Sequence, residues 1–128
     1  MLSQGPLPVL LHGALEYAAG VLLIVAPFLF DFEATAATAS SVVLGLALLA
    51  FTASSRLPTG LVKTVPVGVH VTVDVVLAVV LVALPFIFGF TEEGAPTALF
   101  IALGVLHLLV TIATRFPERG RPADADPA

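Results

Sequence analysis

HGALEYAAGVLLIVAPFLFDF, residues 12–32, lies over HVTVDVVLAVVLVALPFIFGF, residues 70–90, without a gap. His12 meets His70, Glu16 meets Asp74, Pro27-Phe28 meets Pro85-Phe86, Phe30 meets Phe88 and Phe32 meets Phe90. One extra residue in the following loop of the second copy shifts the frame. Gly45 then meets Gly104, Thr52 meets Thr111, Arg56 meets Arg115 and Pro58 meets Pro117. A two-helix unit is therefore used twice, as residues 1–58 and 59–116.

Each matched stretch is long and apolar enough to cross a bilayer, which takes about 20 residues. Hydropathy places four spans at about 7–30, 39–55, 64–88 and 97–114, the second of them short and rich in small residues. Short loops make neighbours antiparallel, so the fold expected is all-α, a four-helix up-down membrane bundle. Each unit has an even number of spans, so both copies have the same orientation, related by a pseudo-two-fold axis along the membrane normal. The tail 117–128 (PERGRPADADPA) is polar and proline-rich and is expected to be disordered.

Composition agrees. The 128 residues are 59% hydrophobic and 11% charged, with mean hydropathy +1.11. A soluble domain has about a quarter of its residues charged. That excludes an ordinary soluble enzyme and intrinsic disorder alike. There is no cysteine, hence no disulfide, thiolate ligand or thiol chemistry. Five Lys and Arg, none clustered with aromatics, give no nucleic-acid footprint. No phosphate loop or nucleophile elbow is present. A small enzyme remains conceivable only through a metal that polarises a substrate, and no substrate pocket is readable.

Orientation follows the basic residues. Arg56 and Lys63 flank the loop between spans two and three, and Arg115, Arg119 and Arg121 follow span four. The other loops carry Asp31, Glu33, Glu92 and Glu93 and no Lys or Arg. Both termini are therefore expected in the cytoplasm, and the protein in a cell inner (plasma) membrane. The Pro-Phe pairs then sit at the outer ends of spans one and three. There Phe28, Phe30, Phe32, Phe86, Phe88 and Phe90 read as two outer aromatic anchors.

Glu16 and Asp74 are the two charged residues inside the spans, and His12, His70 and His107 lie in spans too. An ionisable group at membrane depth costs about 2.5–3.5 kcal/mol on insertion scales, so it faces the bundle interior and needs a partner. His12 and Glu16 are four apart, as are His70 and Asp74, so each pair shares a helix face. His70 is about 10 Å beyond Lys63 along the helix, and His107 about 12 Å before Arg115. All five residues are thus expected in one layer in the cytoplasmic half, with His12, Glu16, His70, Asp74 and His107 as candidate metal ligands.

Four uses fit such a layer. It can be interhelical glue, each carboxylate accepting a hydrogen bond from a histidine and the pairs fixing helix register. It can bind a divalent metal, since imidazole and carboxylate suit Zn, Fe or Mn. It can hold haem b between His12 and His70. It can relay protons in a proton-coupled transporter or channel subunit. Above Gly20 and Ala78 the same faces hold Leu, Val, Ile, Pro and Phe, which argues against a continuous pore. The reading adopted is a small non-enzymatic membrane protein whose layer binds a cation or cofactor or serves as glue. Small residues four apart place Gly45 and Gly104 against neighbouring helices. Four thin helices bury little, which leaves room for a homo-oligomer or a larger membrane complex.

Ala26-Pro27-Phe28 and Leu84-Pro85-Phe86 stand near the end of the first helix of each unit. In this the chain resembles the SPW-repeat family of small membrane proteins, whose two-helix unit carries Ser-Pro-Trp at that place. Here Ser is replaced by Ala or Leu, and Trp by Phe in both copies. The resemblance spans both hairpins. It implies a membrane fold and no established activity.

Overall fold

A computed structural model of the chain describes residues 6–116; the tail expected to be disordered lies outside the described residues. Two short strands and four helices follow one another: β1 Leu7–Pro8, α1 Val9–Leu29, α2 Thr35–Ala53, α3 Val67–Ile87, α4 Gly94–Ala113 and β2 Thr114–Arg115. In hydrocarbon every backbone polar group must bond within its own segment, so apolar runs of this length become helices whatever their β-branched content. All four helices are long and apolar enough to cross a membrane.

Two helices start earlier than hydropathy suggests. α2 begins at Thr35 and has 19 residues, so it is not short. Its first turn, Thr35-Ala36-Ala37-Thr38, is only weakly apolar, which hides it from a hydropathy reading. The Glu93 carboxylate accepts from the backbone N–H groups of Glu33 and Ala34 at 2.6 and 2.9 Å, at the amino end of α2. A negative group there suits the helix dipole. α4 begins at Gly94. Pro96 is in its first turn, where no intrahelical donor is needed.

α1 and α3 stop by the same device. After Phe30 and Phe88 the chain enters the left-handed region at Asp31 (φ 51°) and Gly89 (φ 70°). The Phe32 and Phe90 amides then donate back to the Pro27 and Pro85 carbonyls at 2.9 and 3.0 Å. A Cβ on Gly89 would meet nothing within 4 Å, so only backbone strain opposes one. Gly89→Ala is expected to lower stability by about 1 kcal/mol. A circular-dichroism melt in detergent checks this, and an unchanged or raised midpoint contradicts it.

Within each hairpin the backbones touch. A Cβ on Gly45 would lie 2.6 Å from the Gly20 carbonyl oxygen, and one on Gly104 would lie 2.8 Å from that of Ala78. Both glycines thus face a neighbouring helix, as small residues four apart permit. Packing is far denser inside the two hairpins than between them.

Two apolar clusters close the bundle. Near the acidic loops, Leu23, Ala37, Leu81, Leu84, Phe90 and Phe100 form the main core. Near the basic end, Leu57, Val67 and Phe116 form a smaller one. There β1 pairs in parallel with β2, Leu7 opposite Thr114, and Ser55 bridges Val65. In the repeat frame these are the same contact made twice, each joining one unit to the other. The sequence reading did not include them.

The outer faces are apolar. Val21, Val43, Leu46, Val79 and Leu109 are each more than half exposed, while Glu16, Asp74 and the hydroxyls of Ser41, Thr52 and Thr111 are buried. That inversion suits lipid, not water. The six phenylalanines divide. Phe28, Phe30, Phe86 and Phe88 point outward, as an interfacial anchor would. Phe90 instead sits in the core, edge-on to Phe100 at 5.6 Å, and Phe32 packs on the same core. Both follow the left-handed turn, which folds them back over the helix ends.

Candidate metal centre

α1 brings His12 and Glu16 to the bundle interior, and α3 brings His70 and Asp74. None of the four side chains is more than 1% exposed. Residues four apart project from one face of a helix, so each pair can reach across to the other helix as well as to its own partner. Nε2 of His12 lies 3.0 Å from Asp74 Oδ2, and Nε2 of His70 lies 3.0 Å from Glu16 Oε1. The contacts within a helix are 3.5 Å for His12 with Glu16 and 3.1 Å for His70 with Asp74. Each Nε2 thus lies near both carboxylates, and its shorter approach is to the one on the other repeat.

The result is a ring of alternating nitrogen and oxygen, with edges of 3.0–3.5 Å. All four atoms lie within 4.8 Å of one another. His107 comes from α4 at the rim, its Nε2 3.3 Å from Asp74 Oδ1 and its side chain 9% exposed.

The second ring nitrogen of each histidine fixes its tautomer. The Thr114 hydroxyl donates its one proton to the Val110 carbonyl at 2.5 Å. Toward His12 it accepts, so His12 Nδ1–H donates to it at 2.9 Å. The Ser55 hydroxyl donates to the Phe51 carbonyl at 2.7 Å and accepts from His70 Nδ1–H at 2.5 Å. With Nδ1 protonated, a neutral imidazole presents its Nε2 lone pair to the ring centre. Ligating histidines are oriented in this way, by a partner on the other nitrogen.

Ser55 and Thr114 occupy matching places in the two units. Helical spacing in the sequence puts both on the polar stripes of spans two and four, and both are buried, but their bonds to the histidines were not foreseen. Tyr17, next to Glu16, is not part of the ring: its hydroxyl donates to the Thr59 carbonyl at 2.8 Å. Thr52 and Thr111 are buried beside it, and among the described residues their hydroxyl oxygens have no hydrogen-bond partner. The same holds for Glu16 Oε2, Asp74 Oδ1 and His107 Nε2. Buried polar atoms are ordinarily hydrogen-bonded, so these five stand out.

Aromatic rings close the layer toward the basic end. Phe116 stands edge-on to His12 at 4.9 Å, and Phe51 stacks on His70 at 4.7 Å. Toward the acidic loops lies the main apolar core.

Comparison with known proteins fits this architecture. No curated protein and no solved structure matches the chain significantly. The family model described as the SPW repeat domain matches residues 10–114, from the first turn of α1 to the residue that holds His12. Both hairpins fall within that match, and the chain belongs to the SPW repeat family.

Proposed function

We propose that the ring formed by His12, Glu16, His70 and Asp74 holds one divalent transition-metal ion, which ties the two hairpins together. The protein is then a non-enzymatic, metal-stapled membrane bundle. One observation carries this reading: four ligand atoms from two helices converge, with both histidines turned to the centre by hydroxyls on Nδ1. Donors bound at about 2.0–2.1 Å to a tetrahedral ion stand about 3.3 Å apart. Four of the six donor separations, the ring edges of 3.0–3.5 Å, are near that value, and all six are within 4.8 Å.

Charge supports the same reading. Two carboxylates and two neutral imidazoles carry −2, which a divalent ion cancels without leaving a net charge in the bilayer. The donor set lacks sulfur and has four members, which favours Zn2+ and admits Mn2+ or Fe2+. Haem b fits poorly, because the carboxylate oxygens stand where the macrocycle would lie between the two Nε2 atoms. A proton-coupled transporter or channel subunit needs a polar route beyond the layer, and apolar clusters lie on both sides of it.

The basic residues Arg56, Lys63 and Arg115 share one end of the bundle, which supports termini in the cytoplasm of a cell with a plasma or inner membrane. The metal site then lies in the cytoplasmic half. Elemental analysis of protein purified without chelator tests the function. About one transition-metal ion per chain is expected, lost on prolonged treatment with a strong chelator. Protein that is metal-free as isolated and takes up no Zn2+, Mn2+ or Fe2+ on dialysis removes the reading.

A further inference from the structure

We propose, resting on the metal reading of the ring, that the connection between the two units is a metal-responsive element. Residues 54–65 keep one closed arrangement while the ion is bound and open when it leaves. The protein then reports the metal at its basic end as well as holding it.

The connection is a hydrogen-bonded structure, not slack chain. The Leu61 and Val62 amides donate to the Ala53 carbonyl at 2.7 and 2.8 Å. The Thr64 and Val65 amides donate to the Ser54 carbonyl at 2.9 and 2.8 Å, and the Arg56 amide donates to the Val65 carbonyl at 2.8 Å. Leu57 and Gly60 are buried beneath it, whereas Arg56, Leu61, Val62 and Lys63 are exposed and form its responsive surface.

This loop is fastened to both helices that carry the ligands. On α1, the Thr59 carbonyl accepts from the hydroxyl of Tyr17, the residue after Glu16. The Thr59 side chain lies over Gly13, the residue after His12, so closely that a Cβ there would overlap it. On α3, His70 Nδ1–H donates to the Ser55 hydroxyl, and Val65, which bridges Ser55, leads through Pro66 into the helix. A loop tied to α1 at Thr59 and to α3 at Ser55 and Val65 keeps both attachments at one separation of the two helices. The ion fixes that separation, because its ligands come from α1 and α3 and direct packing between the hairpins is sparse. Emptying the ring frees the helices to part, and the loop gives up an attachment. A ligand site and an element that share one geometry are coupled, and the coupling is reciprocal.

The internal repeat shows that the fastening to α1 is particular to this loop. Val71 and Val75 stand in α3 where Gly13 and Tyr17 stand in α1, so the matching places offer neither a bare backbone nor a hydroxyl.

The test is hydrogen exchange, read by mass spectrometry, on the full chain in lipid nanodiscs, loaded with Zn2+ or stripped by chelator. The amides of Arg56, Leu61, Val62, Thr64 and Val65 are expected to exchange at least about tenfold faster in stripped protein, while those of Phe32 and Phe90 at the acidic end change less than about twofold. Tyr17→Phe removes one hydrogen bond to the loop and no ligand. It should still take up about one Zn2+ per chain at saturation, with affinity about fivefold lower, as one neutral hydrogen bond gives. Its loaded loop should exchange faster than that of loaded wild type. Gly13→Ala, which drives Thr59 off α1, should act in the same direction. Competition with a chromophoric chelator reads the affinity. Equal loop exchange with and without the ion, in a chain that binds Zn2+, overturns the proposal and leaves the metal reading standing. A rise of the same size at Phe32 and Phe90 means general loosening, and overturns it too. Unchanged Zn2+ affinity in both variants overturns the coupling. A chain that takes up no Zn2+ removes the metal reading and the proposal together.

Discussion

In the Glu16→Gln, Asp74→Asn double variant, bound metal is expected to fall from about one ion per chain to less than a tenth of that. Both substitutions keep shape and remove the negative donors, so Nε2 of His12 and His70 remain in place without the charge that retains a dication. Stability should change in a diagnostic way. Wild-type protein should lose several kcal/mol when a chelator strips the ion, because the hairpins make few direct helix contacts with each other. The double variant should melt near the stripped wild type and should not respond to chelator. Thermal melts by circular dichroism, with and without chelator, check both points. A wild type indifferent to chelator would show that hydrogen bonds alone hold the layer.

Gly45→Val is expected to have the second large effect, about 2–3 kcal/mol of destabilisation. The added Cβ would stand 2.6 Å from the Gly20 carbonyl oxygen and 2.7 Å from Ile24 Cγ1. The first contact is with backbone, so no side-chain rotation relieves it, and α1 and α2 must separate. Loss of hairpin packing should appear as a lower denaturation midpoint with helix content retained, since lipid still enforces each helix. Gly104→Val should behave alike in the second hairpin, where the nearest backbone atom, the Ala78 carbonyl oxygen, is 2.8 Å away. A midpoint within error of wild type for both would contradict the close-contact account.

Much of this architecture is readable from the chain itself, because the duplication is a comparison built into one sequence. His12 over His70 and Glu16 over Asp74 give equal depth, and burial cost then requires that they meet. Hydropathy locates four spans but misplaces the starts of α2 and α4. Weakly apolar residues such as Thr35 and Gly94 continue a helix when the backbone must bond internally, and a hydropathy average does not register that. Crossed pairing, His12 to Asp74 and His70 to Glu16, depends on the separation of α1 and α3, which periodicity does not contain. Ser55 and Thr114 fall on the polar stripes by spacing, but their bonds to the histidines depend on the path of the chain beyond the last turns of α2 and α4. The parallel bridges near them are long-range contacts of two residues each, too short to leave a pattern.

X-ray absorption at the metal edge of the Zn2+-loaded protein tests the central claim most directly. The account predicts a first shell of two nitrogen and two oxygen donors at about 2.0–2.2 Å, with the outer-shell scattering of two imidazoles and no sulfur. A shell of six oxygens without imidazole scattering, as for a hydrated ion held at the surface, would contradict it.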